Sequence, residues 1–225
     1  DFVSRGGHKL AGALDVFTGV AVEGKKCLDA GASTGGFTDV LLRRGAKLVV
    51  AVDVGYGQLA WELRQDERVK ILDRTNIRHL TGDQVGEDID LVVADLSFIS
   101  LSLVLPALAA VSKPSADFVL MVKPQFEVGR EKLGAGGVVR DPLLRRAAVL
   151  DVAESAYDVG LGTMEQVGKQ TLNIISVDGG GSTLHKENHH NVLCKEEIEV
   201  ITLDSYNIDN ISFIKMDVEN NELQV

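Results

Sequence analysis

Leu28-Asp29-Ala30-Gly31-Ala32-Ser33-Thr34-Gly35-Gly36-Phe37-Thr38 decides how the rest of the chain is read. Cys27 to Ala30 is a short apolar strand, Gly31 to Gly36 a glycine turn, and Phe37 to Arg44 a helix stopping at Gly45. Glycines let a backbone come close to a ligand, and the start of the following helix offers free N–H groups. The same grammar runs outward in both directions. Upstream, Leu10 to Phe17 is apolar at helical spacing. Downstream, strands over Leu48 to Val52, Val69 to Leu72, Ile89 to Ala94 and Ala116 to Val122 end at Asp53, Asp73, Asp95 and Lys123. Gln58 to Arg64 reads as a short helix, and Leu101 to Val111 as a helix closed by Pro114. A glycine-rich loop, Gly129 to Gly137, precedes Asp141-Pro142, which opens a long helix with an N-cap and a proline at its first position. Apolar strands alternating with helices predict an α/β fold: a mostly parallel sheet with helices on both faces.

In such sheets ligands bind beyond the carboxyl ends of the strands. The charged ends Asp29, Asp53, Asp73, Asp95 and Lys123 therefore point to one shared site. Glycines at 31, 35 and 36 miss the G-x-G-x-x-G spacing of a dinucleotide loop. The pattern suits S-adenosylmethionine, which has no pyrophosphate and whose amino-acid end needs a carboxylate as well as N–H donors. Asp29 is placed for the ammonium group, with Gly31, Ala32, Ser33, Gly35, Gly36 and Phe37 forming the loop. Asp53, followed by Val54, is placed for both ribose hydroxyls. Asp73-Arg74-Thr75-Asn76 falls near the adenine, with Asp73 and Asn76 as the contacts. The fold class expected is a Rossmann-like methyltransferase.

Methyl transfer from a sulfonium is an in-line displacement, so the protein positions the nucleophile and removes its proton. A lysine serves as base when burial or neighbouring cations favour its neutral form. Lys123 ends an apolar strand and is followed by Pro124, which fixes the backbone. Asp95 is placed to orient Lys123 or to face the methyl group, and Lys9 completes a lysine–aspartate–lysine group.

Ser4-Arg5-Gly6-Gly7-His8-Lys9-Leu10, the Leu28 to Thr38 loop and Ala51-Val52-Asp53-Val54-Gly55-Tyr56-Gly57-Gln58-Leu59 closely resemble the TlyA family. So do Asp95-Leu96-Ser97-Phe98-Ile99-Ser100 and Met121-Val122-Lys123-Pro124-Gln125-Phe126-Glu127. The resemblance implies an FtsJ-type ribose 2′-O-methyltransferase acting on ribosomal RNA or ribosomal subunits in the cytoplasm, although such proteins often carry the name hemolysin. It also implies a Lys-Asp-Lys-Glu tetrad, whose first three members match Lys9, Asp95 and Lys123. An S4-type RNA-binding domain ahead of this segment is implied too, and a chain that begins at Asp1 reads as a piece of something longer.

Net charge is −10, with residues 1–168 at −4 and residues 169–225 at −6. More than half of the acid excess thus sits in the last quarter. The front keeps basic clusters at Lys25/Lys26, Arg43/Arg44/Lys47 and Arg130/Lys132/Arg140/Arg145/Arg146, so local phosphate contact remains open despite a pI near 5.0. Residues 1–168 read as the methyltransferase domain. Residues 169–225 resemble instead a fragment of an FkbM-type methyltransferase, through Ile214-Lys215-Met216-Asp217-Val218-Glu219, with Asn220 where glycine is usual. Val200 to Leu203 and Ile211 to Met216 are candidates to complete the sheet edge. Glu196, Glu197 and Glu199 are the glutamates at hand for the tetrad's fourth place, and none is assigned to it. His185, His189, His190 and Cys194 read as a solvated loop, so no metal is expected. A methyltransferase for small molecules or sugars, and a cofactor-binding domain silenced by its altered tail, are the alternatives. Membrane lysis is disfavoured, because no apolar run approaches the roughly 18 residues of a membrane span.

Overall fold

The computed structural model describes residues 1–161, except Glu87, Arg130, Lys132 and Ala135, and the backbone of residues 168–174, 182–183, 194–200 and 213–217. Five parallel strands carry the domain: β1 (Lys26–Ala30), β2 (Leu48–Val52), β3 (Val69–Leu72), β4 (Ile89–Ala94) and β5 (Ser112–Val122). Their order is β3-β2-β1-β4-β5, so the chain reverses its direction of travel across the sheet between β1 and β4. That reversal opens a crevice at the carboxyl ends of those two strands. Around the sheet lie α1 (Gly6–Val16), α2 (Gly36–Arg43), α3 (Trp61–Arg64), α4 (Gly82–Val85), α5 (Leu105–Ala110), α6 (Pro124–Glu127) and α7 (Pro142–Asp158).

Successive side chains of a strand point to opposite faces, and the core divides accordingly. Leu28, Ala30, Val50, Val52, Val92, Ala94, Phe118, Leu120 and Val122 face α5 and α7, where Leu105, Leu108, Val149, Val152 and Ala156 cover them. Cys27, Val49, Ala51, Leu91, Val93, Val119 and Met121 face the other way, under Leu10 and Leu14 of α1 and Phe37, Val40 and Leu41 of α2. Full burial of each large apolar side chain contributes about 1.5–3 kcal/mol. Cys27 is a free, buried thiol, as its strand position suggests, and burial pushes its pKa up to about 12.

Several elements differ in extent from the sequence reading. The helix expected over residues 101–111 is a 3-10 turn at Leu101–Leu103 followed by α5. Pro106 explains the break: it lacks an N–H and is tolerated only in a first helical turn, so α5 restarts just before it. Pro114 does not close the helix but lies near the start of β5, where the register with β4 shifts between Ile89 and Leu91. Such a shift is where a strand accommodates proline. Gln58 does not begin α3, because Gly57 sits at φ +67 and the chain turns until Ala60, whose N–H bonds the Thr34 carbonyl at 3.1 Å. α7 starts as read, with the Asp141 carboxylate accepting from the Leu143 N–H at 2.9 Å.

In the last quarter, β6 (Gly168–Ile174) pairs antiparallel with β7 (Ser182–Thr183) and β8 (Cys194–Val200) in a separate three-stranded sheet. β9 (Phe213–Asp217) runs parallel to β5, from Phe118 opposite Phe213 to Val122 opposite Asp217. Val200, one end of a segment considered for the edge, thus belongs to the small sheet, along with Glu196, Glu197 and Glu199. Leu203, His185, His189, His190, Val218 and Glu219 lie outside the described residues.

Candidate active site

The strand alternation that sorts the core also sorts the charged strand ends. Asp29, Asp53, Asp73, Asp95 and Lys123 each stand two residues beyond an apolar residue of the α1–α2 side: Cys27, Ala51, Ile71, Val93 and Met121. The polar groups therefore gather on one side of the sheet, at its carboxyl edge. Lys9 joins them from α1, whose Leu10, Ala13 and Leu14 bury the adjoining helix face.

Lys9, Asp95 and Lys123 meet in space. The Lys123 ammonium lies 2.6 Å from Oδ1 of Asp95, and the Lys9 ammonium lies 3.7 Å from Oδ2. Lys9 also approaches the Met121 sulfur at 4.0 Å. Two cations share one carboxylate, and the side chains of Lys123 and Asp95 are only 15% and 20% exposed. Lys123 donates a hydrogen bond to the Ser97 hydroxyl at 2.8 Å, whereas its contact with Asp95 is an ion pair without hydrogen-bond geometry, and Asp95 Oδ1 is buried without a hydrogen-bond partner.

The glycine loop stands directly beside this group. Gly31 has φ +89, and a Cβ there would lie 2.8 Å from the Asp95 carbonyl oxygen, so only glycine lets β1 turn so close to β4. The N–H groups of Gly31 and Ala32 both reach the Val52 carbonyl, at 2.9 and 3.1 Å. Asp53 ties two loops together: Oδ2 accepts from Ser33 N–H at 2.8 Å and Oδ1 from Gly55 N–H at 2.7 Å. Each carboxylate oxygen has two acceptor sites, so both keep one for a ribose hydroxyl. Val54, beside it, is exposed.

Asp73 accepts from Gly57 N–H at 3.1 Å and from Arg64 at 3.4 Å, while the Asn76 oxygen accepts from Arg78 N–H at 3.0 Å. These two side chains shape the loops that would border an adenine. Between them Arg74, at φ +54, stacks its guanidinium 4.2 Å over the Tyr56 ring. Gly36 and Phe37 open α2; the Phe37 side chain is buried in the core, so a ligand could meet only its backbone there.

Asp29 is fully buried. One oxygen accepts from the Thr38 hydroxyl at 2.7 Å, and the other is buried without a partner. Desolvation, reinforced by the charges of Asp95 and Asp53 and opposed by the Thr38 hydrogen bonds, pushes its pKa up to about 7. An unfolded aspartate ionises near 3.9. The folded state therefore holds the extra proton between those values, and Asp29 lowers stability as pH rises through that window. An orphaned, buried acceptor at the end of β1 suits an incoming ammonium group. The thermal midpoint of the unaltered chain is expected to fall between pH 5 and pH 7.5 more steeply than that of Asp29→Asn, by about 1–3 kcal/mol of unfolding free energy. Parallel curves for the two proteins would show that Asp29 is ionised throughout.

Sequence reading passed over some residues that the fold brings in. Ser97 lies inside the Asp95 to Ser100 motif, where no role attaches to it, and its proximity to Lys123 singles it out. Glu127 holds the start of the 3-10 turn through Ser100 Oγ at 2.5 Å and Leu101 N–H at 2.9 Å, and desolvation raises its pKa. Phe98 is 91% exposed, at φ +66, and touches Phe126 with ring centroids 5.2 Å apart. Among the described residues, no group of His, Cys, Asp or Glu is placed to hold a metal, and no helix is long and apolar enough to cross a membrane.

Comparison with known proteins identifies the family. The chain is 63% identical over 159 residues to the 16S/23S rRNA (cytidine-2′-O)-methyltransferase TlyA of Mycobacterium tuberculosis, covering 71% of this chain and 59% of that protein. It is 41% identical over 160 residues to Hemolysin A of Brachyspira hyodysenteriae, covering 71% of this chain and 66% of the relative. A solved structure described as a hemolysin from Streptococcus thermophilus superposes with a TM-score of 0.69 at 46% identity, over 75% of this chain and 60% of that one. The chain thus spans 59% of the length of the M. tuberculosis relative. The model of the FtsJ-like methyltransferase family matches residues 2–166. With its parallel sheet, glycine loop and Lys9–Asp95–Lys123 group inside that match, the chain belongs to the FtsJ-like methyltransferase family.

Proposed function

We propose that this domain transfers the methyl group of S-adenosylmethionine to a ribose 2′-hydroxyl of ribosomal RNA. The observation that carries the reading is the Lys9–Asp95–Lys123 group beside the glycine loop, at the carboxyl edge of the sheet. The name of the M. tuberculosis relative supports the choice of a ribose hydroxyl in ribosomal RNA.

The residues present suit the cofactor. The partnerless oxygen of Asp29 is an acceptor for its ammonium group. Gly31, Ala32, Ser33, Gly35, Gly36 and the Phe37 backbone make the turn beside its amino-acid end. Asp53, next to Val54, accepts from its ribose, and the loops held by Asp73 and Asn76 border its adenine. Asp95 lies where the reacting methyl group would come. Bound S-adenosylmethionine supplies an electrophilic methyl on a sulfonium.

The chain's own side chains do the rest. Lys123, in its neutral form, takes the hydroxyl proton on Nζ as the ribose oxygen forms its bond to the methyl carbon. The cofactor would leave as a thioether, its sulfur keeping the electron pair of the broken bond. Asp95 then faces two ammonium groups, Lys9 and Lys123, and its charge stabilises the protonated base. Ribosomal subunits in the cytoplasm are the partners this reading implies.

Digesting ribosomal RNA after incubation with the chain and methyl-labelled S-adenosylmethionine tests it. The label is expected in a 2′-O-methylnucleoside. Label in a base-methylated nucleoside, or on a glycan but not on RNA, would overturn the reading.

A further inference from the structure

We propose that Ser97 is a positioning residue that fixes the rotation of the Lys123 amine and so aims its proton-accepting side at the substrate. The inference rests on the methyl-transfer reading above. A lysine Nζ has three tetrahedral positions besides its carbon. In the ammonium all three are N–H donors, and in the amine two are N–H and the third is a lone pair. Ser97 Oγ accepts from one of them at 2.8 Å, and the negative charge of Asp95 Oδ1, 2.6 Å away in an ion pair without hydrogen-bond geometry, favours an N–H over the lone pair at a second. The third position is the one through which a proton can arrive. With Asp95 alone, the amine could turn about its terminal bond and sweep the lone pair through a cone. The directed hydrogen bond to Ser97 Oγ stops that rotation.

The backbone is built to hold Ser97 there. Residues 95–101 and 123–127 are fastened together point by point. Lys123 meets Asp95 and Ser97, Phe126 meets Phe98, and Glu127 meets Ser100 and Leu101. Phe98 stands in the left-handed region at φ +66, a conformation that a bulky residue rarely adopts and that persists only where its surroundings enforce it. It turns the chain immediately after Ser97. Ser97 itself is exposed while Lys123 is largely covered, so the hydroxyl sits at the mouth of the site, on the side from which RNA would approach.

Ser97→Ala and Ser97→Thr, made in the whole chain, test the inference. Methyl transfer by Ser97→Ala is expected to show kcat reduced about tenfold, with KM for ribosomal RNA unchanged within about twofold. Ser97→Thr keeps a hydroxyl at the same carbon and is expected to regain kcat to within about threefold of the unaltered chain. An unchanged kcat in Ser97→Ala, or a threonine variant as impaired as the alanine one, overturns it. If the unaltered chain methylates no ribose, the proposed function fails by itself. NMR relaxation of the Lys123 Nζ–H group in the unaltered chain and Ser97→Ala, each with S-adenosylhomocysteine, then decides the inference. Slower rotation about the Cε–Nζ bond in the unaltered chain than in the variant supports it. Equal rotation in both overturns it.

Discussion

Lys123→Ala is expected to lower methyl transfer to ribosomal RNA by about a hundredfold or more, the lower bound for losing a positioned general base. That corresponds to about 2.7 kcal/mol or more of activation free energy at 1.36 kcal/mol per tenfold. Binding of S-adenosylmethionine should change little, because the glycine loop, Asp53 and Asp29 are held by contacts in which Lys123 takes no part. The fold should survive as well. Asp95 keeps Lys9 as a partner at 3.7 Å and is partly exposed, so the variant does not strand a buried charge. Initial rates with labelled cofactor, together with a calorimetric titration, separate the two effects. Full activity in the variant would remove Lys123 from the chemistry altogether.

Asp53→Ala should act on the other half of the reaction, weakening S-adenosylmethionine binding by about thirtyfold or more. The carboxylate accepts from Ser33 N–H at 2.8 Å and Gly55 N–H at 2.7 Å, so its loss frees both the first glycine loop and the turn after β2. Hydrogen bonds to a charged group contribute about 1.5–3 kcal/mol, and a loss of about 2 kcal/mol already gives a factor near thirty. Asp53→Asn, which keeps one acceptor oxygen, should fall between the two. Calorimetry on the three proteins gives the order directly. Equal affinities would mean that the loop holds its shape without Asp53 and that the ribose is recognised elsewhere.

The domain's skeleton was legible because strand ends, glycines and capping residues act locally. Cys27 to Ala30, the turn at Gly31 and the Asp141-Pro142 helix start each announce themselves within a few residues, and the parallel sheet follows from their alternation. What failed to show was set by competition between local signals. Pro106 and Pro114 both break helices, and the sequence alone does not tell which of them interrupts a helix and which is absorbed by a shifted strand. In the site, Asp53 and Lys123 could be picked out as strand ends. Lys9 lies on a helix far from both in sequence, and its meeting with Asp95 depends on how α1 packs over α2. Ser97, though inside a quoted motif, had no legible role for a related reason: a serine in a loop gains meaning only from the amine that folding brings to it. Asp73 and Asn76 stand out by position alone, and only the fold shows that their acceptors also brace the loops around them.

The division of the sheet into two unlike faces bears on how this domain can tolerate change. The side under α5 and α7 is an apolar cluster, and the side under α1 and α2 joins its apolar cluster to the charged strand ends. Swapping apolar residues of similar volume among Val152, Leu105 and Phe118 alters thermal endurance without moving the meeting point of Lys123 and Asp95. Deleting one residue between Asp117 and Val122 of β5, beyond the shifted register, is a different kind of event, because it inverts the facing of everything on one side of the gap. To keep Lys123 beside Asp95, the strand would have to turn its apolar pattern inside out; to keep its pattern, it would have to give up the lysine. Length between Asp117 and Lys123 is therefore more strictly constrained than composition, and the domain's freedom there lies in substitution, not in insertion or loss.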